Sequence, residues 1–265
     1  QPRSPRLRPY PPSLGRPHPL DLLSAAGRGI RSIIAVGTLA QIEAELRAAS
    51  GQADLVLADY FAYVAGTSTG AIIATLVARG LSVDEIREFY IKSGAEMFEK
   101  ARLWERFKTK FHDDKLAAMI KEIVGPETNF GTDTLCTLLM IVLRNATTDS
   151  PWPLSNNPKA KYNLPGCTGC NTELKLWQLV RASTAAPTYF PPEVIHVGSK
   201  EFVFVDGGIT MYNNPAFQLF LMATVEPYHL GWKTKRPEDM LIVSIGTGTS
   251  PQPNGALDPD QMNLL

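Results

Sequence analysis

The stretch that most constrains the fold is a glycine-flanked serine between two apolar segments. Residues 66–70 read Gly-Thr-Ser-Thr-Gly, with the apolar residues 61–65 before them and the apolar residues 71–78 after them. A buried strand joined to a helix through small residues predicts a sharp turn that lifts the Ser68 hydroxyl above the edge of a sheet. The N-terminus of the helix then points its free N–H groups at the same place. Ser68 is therefore a candidate nucleophile, and a serine that merely caps a helix after a glycine turn is the alternative.

Strands alternate with helices along the rest of the chain. Strands are expected near residues 20–24, 61–65, 135–143, 202–205 and 240–245, and helices near residues 33–49, 71–78, 82–92, 113–124, 177–186 and 215–225. This order predicts an α/β fold, a three-layer α/β/α architecture with a mostly parallel central sheet. The segment 145–170 is rich in Pro, Asn, Gly and Ser, which indicates a long surface excursion.

The ends of the chain differ in composition from its middle. Residues 1–19 contain seven prolines and four arginines, a composition that predicts a disordered arm. We expect residues 20–250 to form one folded domain and residues 251–265 to form a flexible tail.

Charge and cysteine content exclude several classes of function. The net charge is zero, so the chain lacks the basic surplus that nucleic acid binding needs. Three cysteines argue against a disulfide framework and for a reducing, cytoplasmic location. Cys167 and Cys170 have C-x-x-C spacing, but no second pair accompanies them, so we interpret them as part of a loop rather than a metal or redox site. No apolar run reaches the roughly 20 residues of a membrane span.

A second glycine-rich turn follows the first predicted strand. Residues 27–32 read Gly-Arg-Gly-Ile-Arg-Ser and precede a helix, which is a favourable place for backbone N–H groups to bind an anion. A dinucleotide site is one alternative, although a serine stands at the third glycine of that pattern. An oxyanion hole formed around Gly27, Arg28 and Gly29 agrees better with a serine nucleophile downstream.

The nucleophile needs a group that accepts its proton. Asp206 follows the apolar strand 202–205 and precedes Gly207 and Gly208, so it is expected at the end of a strand with room for the serine turn beside it. One possibility is a dyad, in which Asp206 takes the proton directly. The other is an ordinary α/β-hydrolase triad, for which His229 is the histidine in the required order.

Four motifs together resemble the patatin-like phospholipases, most of all their bacterial and plant branch. They are the turn 66–70, the segment 181–190 (Arg-Ala-Ser-Thr-Ala-Ala-Pro-Thr-Tyr-Phe), Asp206-Gly207-Gly208 followed by Asn213-Asn214-Pro215, and residues 244–248 (Ser-Ile-Gly-Thr-Gly). The resemblance extends from about residue 20 to residue 249. It implies that residues 20–250 are a lipid acyl hydrolase domain that needs no metal or cofactor. In that domain, Ser68 matches the nucleophile and Asp206 the proton acceptor, and Gly66, Gly70, Gly207 and Gly208 support the two motifs.

The resemblance also implies a phospholipid or other acyl-lipid substrate and transient contact with a membrane surface. The basic, aromatic segment 97–111 is one candidate for that contact, and packing of its aromatic residues on the domain is the alternative. The first glycine turn departs from the family pattern, because Arg28 and Ser32 stand at glycine positions. A catalytically impaired homologue that binds lipid or regulates is therefore a second hypothesis.

Overall fold

The computed structural model describes residues 20–27, 29, 31–98, 109–164, 166–233, 236 and 239–248. The predicted arm (1–19), the predicted tail (251–265), Arg28 and most of the basic segment 97–111 lie outside these residues. In the described part of the chain, no helix is both long enough and apolar enough to cross a membrane.

A single sheet organises the described residues. Its strands are β1 (Leu22–Ala26), β2 (Tyr63–Thr67), β3 (Leu138–Asn145), β4 (Ser150–Ser155), β5 (Glu193–Val197), β6 (Lys200–Asp206) and β7 (Ile242–Ile245). The order is β5-β6-β3-β2-β1-β7, and β4 also pairs with β3. β7, β1, β2 and β3 run parallel, whereas β4 and β6 are antiparallel to β3, and β5 is antiparallel to β6.

Helices cover both faces of this sheet. They are α1 (Ser32–Ser50), α2 (Leu57–Tyr60), α3 (Thr69–Ala78), α4 (Val83–Phe98), α5 (Thr109–Val124), α6 (Leu176–Ser183) and α7 (Ala216–Thr224). One core joins α1 and α3–α6 to the sheet, and a smaller core joins α7 to the opposite face. The predicted α/β fold, with a mostly parallel central sheet and helices on both faces, is confirmed.

The alternation of side chains along β2 and β3 explains why this sheet must be covered twice. In β3, Leu139 and Ile141 belong to the larger core, whereas Met140 and Val142 belong to the smaller one. Successive side chains of a strand point to opposite faces, so a strand that is apolar at every position needs a layer on each side. Apolar side chains therefore occupy both faces of β2 and β3.

Several sequence-based expectations need correction. Residues 145–170 are not a simple surface excursion, because they contain β4, which forms a hairpin with β3. The helix expected from residue 113 begins at Thr109, and β5 and α2 were not predicted. Cys167 and Cys170 form a disulfide inside their loop, which the odd cysteine count did not lead us to expect.

Candidate active site

The register of β3 brings Ser68 and Asp206 together. Thr67, the last residue of β2, pairs with Val142, and the next β3 residue, Leu143, pairs with Asp206 on β6. β4 pairs with β3 along the residues that pair with β2 and also along those that pair with β6. β4 therefore occupies one edge of β3, and β2 and β6 share the other edge. β6 therefore continues the sheet where β2 stops, and the ends of the two strands face each other. The Ser68 hydroxyl donates a hydrogen bond of 2.7 Å to Oδ2 of Asp206.

The turn at Ser68 has an unusual backbone conformation. Its φ of 56° and ψ of −133° lie outside the regions that non-glycine residues normally occupy. Such a conformation costs about 1–3 kcal/mol and persists only where the surroundings impose it. The flanking glycines explain part of this, since a Cβ on Gly66 would lie 2.2 Å from the Gly70 oxygen, and one on Gly70 would lie 2.1 Å from the Ala25 oxygen. Both positions therefore require glycine.

Ser183 holds the Ser68 turn to the centre of the sheet. The Ser68 N–H donates to Ser183 Oγ at 2.9 Å, and Ser183 Oγ donates to the carbonyl oxygen of Val142 at 2.7 Å. Ser183 is fully buried at the end of α6. The sequence analysis assigned no role to it, and the available signal was its place in the segment 181–190.

Asp206 is a buried carboxylate with a partner on each oxygen. Oδ2 accepts from Ser68, and Oδ1 accepts from the Gly208 N–H at 2.6 Å. Only 5% of the residue is exposed. Burial raises the pKa of the Asp206 carboxyl above its ordinary value, and the hydrogen bonds from Ser68 and Gly208 offset part of this. A carboxylate with a raised pKa is a stronger base towards a hydroxyl.

The residues that follow Asp206 fix its position by close backbone contacts. A Cβ on Gly207 would lie 2.2 Å from the Val142 oxygen, so this position also requires glycine. Further along, the Tyr212 carbonyl accepts a 2.8 Å hydrogen bond from Thr67 Oγ1, which joins the loop after Asp206 to the end of β2. Asn214 Oδ1 accepts from Ser24 and Ser244, on β1 and β7.

The first glycine-rich turn lies against the Ser68 turn. A Cβ on Gly27 would lie 2.5 Å from each of three backbone atoms of residues 67–70, and Gly29 has a φ of 57°. Ser32 is buried and shares a 2.6 Å hydrogen bond with Thr69 Oγ1. The described part of the predicted oxyanion turn is therefore in contact with the residues around Ser68, and its third member, Arg28, is not among the described residues.

α7 lies between His229 and the loop that contacts β1 and β2. It follows a turn at Glu226–Tyr228, directly after this helix, and has a φ of 60°. The neighbouring Tyr228 carbonyl accepts a hydrogen bond from Asn157, beyond the end of β4. α7 has nine residues, so it separates its two ends by about 13 Å. The hydrogen bonds of Asp206 therefore do not support the triad alternative, because its two oxygens accept from Ser68 and Gly208 and not from His229.

No group of three or more His, Cys, Asp or Glu side chains that could hold a metal ion occurs within the described ranges. The chemistry available at this edge of the sheet is that of a hydroxyl, a carboxylate and backbone N–H groups.

Several known proteins are similar to this chain. Patatin-T5 and Patatin group J-1, both from Solanum tuberosum, are 27% and 28% identical to the chain over 87% of its length. Patatin-17 from Solanum cardiophyllum is 26% identical over the same share. The chain spans about 61% of the length of these relatives. The crystal structure of VipD from Legionella pneumophila aligns with 86% of this chain and 50% of its own, with a TM-score of 0.47 and 15% identity.

The family described as patatin-like phospholipase matches residues 23–220, which include both Ser68 and Asp206. With a match over most of its length, the chain belongs to the patatin-like phospholipase family.

Proposed function

We propose that the chain is a lipid acyl hydrolase that cleaves ester-linked acyl chains of glycerophospholipids or related lipids. The observation that carries this proposal is the 2.7 Å hydrogen bond between Ser68 Oγ and Asp206 Oδ2. Family membership supports the same reaction class. The proposal concerns Ser68 as nucleophile and Asp206 as the group that accepts its proton.

In the first half of the reaction, Ser68 Oγ attacks the ester carbonyl carbon while its proton passes to Asp206 Oδ2. The tetrahedral intermediate carries a negative oxygen, which backbone N–H groups of the turn around Gly27 and Gly29 stabilise. Collapse of the intermediate breaks the bond to the alcohol, which leaves with the proton from Asp206. The acyl chain is then an ester of Ser68.

In the second half, water attacks the acyl-enzyme and gives one proton to Asp206. The fatty acid leaves, and the proton returns to Ser68 Oγ. The raised pKa of Asp206 suits a group that takes and returns a proton twice in each cycle. The Gly208 N–H, bonded to Oδ1, holds the carboxylate with Oδ2 directed at Ser68 throughout.

A lipid panel tests this function. Purified wild type and Ser68→Ala are incubated with phosphatidylcholine, lysophosphatidylcholine, a monoacylglycerol and a short p-nitrophenyl ester, and fatty acid release is measured. We expect release by wild type from at least one glycerolipid and none by Ser68→Ala. Equal release by both proteins, or none from any glycerolipid, contradicts the proposal.

The impaired homologue remains a second candidate because Arg28 departs from the family pattern. The contact between Ser32 and Thr69 favours a functional turn, since it gives the second departing residue a buried partner beside Ser68. A fluorophosphonate that labels Ser68 separates the two candidates. Labelling of Ser68 in wild type supports turnover, whereas its absence, together with labelling of Arg28→Gly, supports impairment by Arg28.

Membrane contact is the second part of the proposal, and it rests on exposed apolar side chains around the site. They are Ile33, Ile34, Tyr189, Ile209, Met211 and Phe217. Each of them is close in sequence to a residue that forms a hydrogen bond with the site. These bonds join Ser32 to Thr69, Ala185 to Asp206, and Tyr212 to Thr67. Residues 182–192 and 207–225 contain no Asp, Glu, Lys or Arg. We call these six side chains the apolar rim.

The apolar rim suits insertion into a lipid surface by burial rather than by charge. The test is binding to phosphatidylcholine vesicles by sedimentation. The double variant Met211→Ser, Phe217→Ser is expected to bind at least about tenfold more weakly, because each inserted side chain contributes about 1.5–3 kcal/mol. Ile91→Ser, at a similarly exposed position on α4, is the matched control. Binding that is lost in high salt but unchanged in the double variant contradicts this contact.

A further inference from the structure

A cavity of about 780 Å³ lies beside β4, and neither Ser68 nor Asp206 lines it. Its volume falls in the roughly 300–1,000 Å³ range of small-ligand sites. The dyad residues stand at the C-terminal ends of β2 and β6, whereas Tyr63 and Lys200, the first residues of these strands, line the cavity. The cavity is therefore a separate site from the one that carries the proposed reaction.

A large part of the cavity wall is aromatic or apolar. Trp152, Tyr162, Phe202 and Tyr228 contribute rings, and Met222 contributes a thioether. The loop between Cys167 and Cys170 closes one side. These rings favour an alkyl chain, because the cavity offers more apolar than polar area.

The outer edge of β4 does not invite another strand. Pro151 and Pro153 lie in β4 and pair with Arg144 and Val142. A proline has no N–H to donate, so these two positions offer no donor to a further strand, and prolines of this kind protect sheet edges from pairing. A small molecule is thus a better occupant of the cavity than an added β-strand.

The charged side chains among the described lining residues all have one sign. Lys161 and Lys200 line it and are exposed, and no Asp or Glu is among its described lining residues. Deeper in, the Tyr63 hydroxyl donates a 2.6 Å hydrogen bond to Ser155 Oγ and is fully buried. The interior is therefore uncharged, and the two cations stand where solvent reaches. This arrangement matches a molecule with a long apolar chain and one anionic end.

We propose that the cavity binds a long-chain fatty acid, with its alkyl chain between the aromatic walls and its carboxylate at Lys161 and Lys200. The proposal does not depend on hydrolysis by Ser68. It would give the protein a second lipid site of a different kind, for a free fatty acid rather than an ester.

The test is a calorimetric titration of purified Ser68→Ala with oleate below its critical micelle concentration. Using Ser68→Ala separates this result from the proposed hydrolysis, which that variant lacks. Oleyl alcohol has the same chain without the charge, and oleoyl lysophosphatidate has the chain with a phosphate. We expect saturable binding of one oleate, weaker by about two- to fivefold for each of Lys161→Met and Lys200→Met, the range of an exposed ion pair.

Two further variants, also in the Ser68→Ala background, locate the bound molecule. Ala160→Trp and Thr168→Trp each place a large side chain in the cavity from half-exposed or exposed positions on different walls, and both are expected to abolish oleate binding. Ala48→Trp, at an exposed position on α1, is the control for an added tryptophan. Melting temperatures identify a wall variant that has failed to fold, and oleate binding is then judged from the other wall variant.

Several results would overturn the proposal. They are no saturable oleate binding, binding that persists in a folded wall variant, oleyl alcohol binding as tightly as oleate, or binding of lysophosphatidate alone. Binding that is lost in Ala48→Trp as strongly as in the wall variants also overturns it.

Discussion

Replacing Ser183 by alanine removes the side chain that joins the Ser68 turn to β3. Two buried hydrogen bonds disappear, the one that Ser183 Oγ accepts from the Ser68 N–H and the one that it donates to the Val142 oxygen. The Ser68 N–H is then left buried without this acceptor. Because Ser68 has a strained backbone, the loss acts on a residue that its surroundings must hold in place.

The expected size follows from these contacts. An unsatisfied buried donor costs about 1–3 kcal/mol, so we expect Ser183→Ala to lower the free energy of unfolding by that amount. If the turn instead relaxes, the stored 1–3 kcal/mol of backbone strain is released and Ser68 leaves its productive position. A change of 1–3 kcal/mol in the alignment of Ser68 corresponds to about a five- to 150-fold loss in rate.

The assay combines denaturant unfolding with the rate at which a fluorophosphonate labels Ser68. Thr184→Ala is the matched control, because its buried hydroxyl bonds to the Arg181 carbonyl, which also accepts the Thr184 N–H. We expect both variants to lose stability and only Ser183→Ala to lose labelling rate. Ser183 is a positioning residue in this account. Equal labelling rates for Ser183→Ala and wild type would refute the reasoning.

Three other predictions follow from the same contacts. The rate constant kcat/KM should fall at acidic pH with an apparent pKa above 3.8, because burial raises the pKa of Asp206 and the protonated carboxyl cannot accept a proton. An apparent pKa at or below 3.8 contradicts this. Asp206→Asn should raise the melting temperature at neutral pH, because the folded wild type buries a charge that the variant lacks. This gain should begin to shrink as pH falls through the raised pKa and should vanish below the ordinary value of 3.8, where the carboxyl is protonated in both states; a gain that grows on acidification is the opposite sign. Gly70→Ala should destabilise by at least about 1–3 kcal/mol, whereas Gly37→Ala, with open space on α1, should stabilise by about 0.5–1 kcal/mol in the same unfolding assay.

The sequence predicted the Ser68 turn well because the relevant signals are local. A strand, two glycines and a helix follow one another within residues 61–78, and each has a composition typical of its structure. The position of Asp206 at the end of a strand was also predicted, since an apolar run precedes it and two glycines follow it. That these two residues meet depends on the register of β3 with β2 and β6, which a local pattern does not contain.

β4 was missed for a related reason. Pro151 and Pro153 disfavour a strand in any sequence-based interpretation, yet β4 borders the cavity at an edge where prolines are tolerated. The role of Ser183 could not be predicted either, because it depends on two backbone groups that are distant in sequence, the Ser68 N–H and the Val142 carbonyl. Long-range pairing and buried polar contacts are thus the parts that composition and periodicity could not provide.

Ester hydrolysis by four purified proteins tests the central claim most directly: wild type, Ser68→Ala, Asp206→Asn and His229→Ala, each confirmed to be folded. The account predicts that Ser68→Ala and Asp206→Asn release fatty acid at the background rate and that His229→Ala retains nearly the full wild-type rate. Activity retained by either of the first two variants, or lost in His229→Ala, would contradict a mechanism in which Asp206 alone accepts the proton of Ser68.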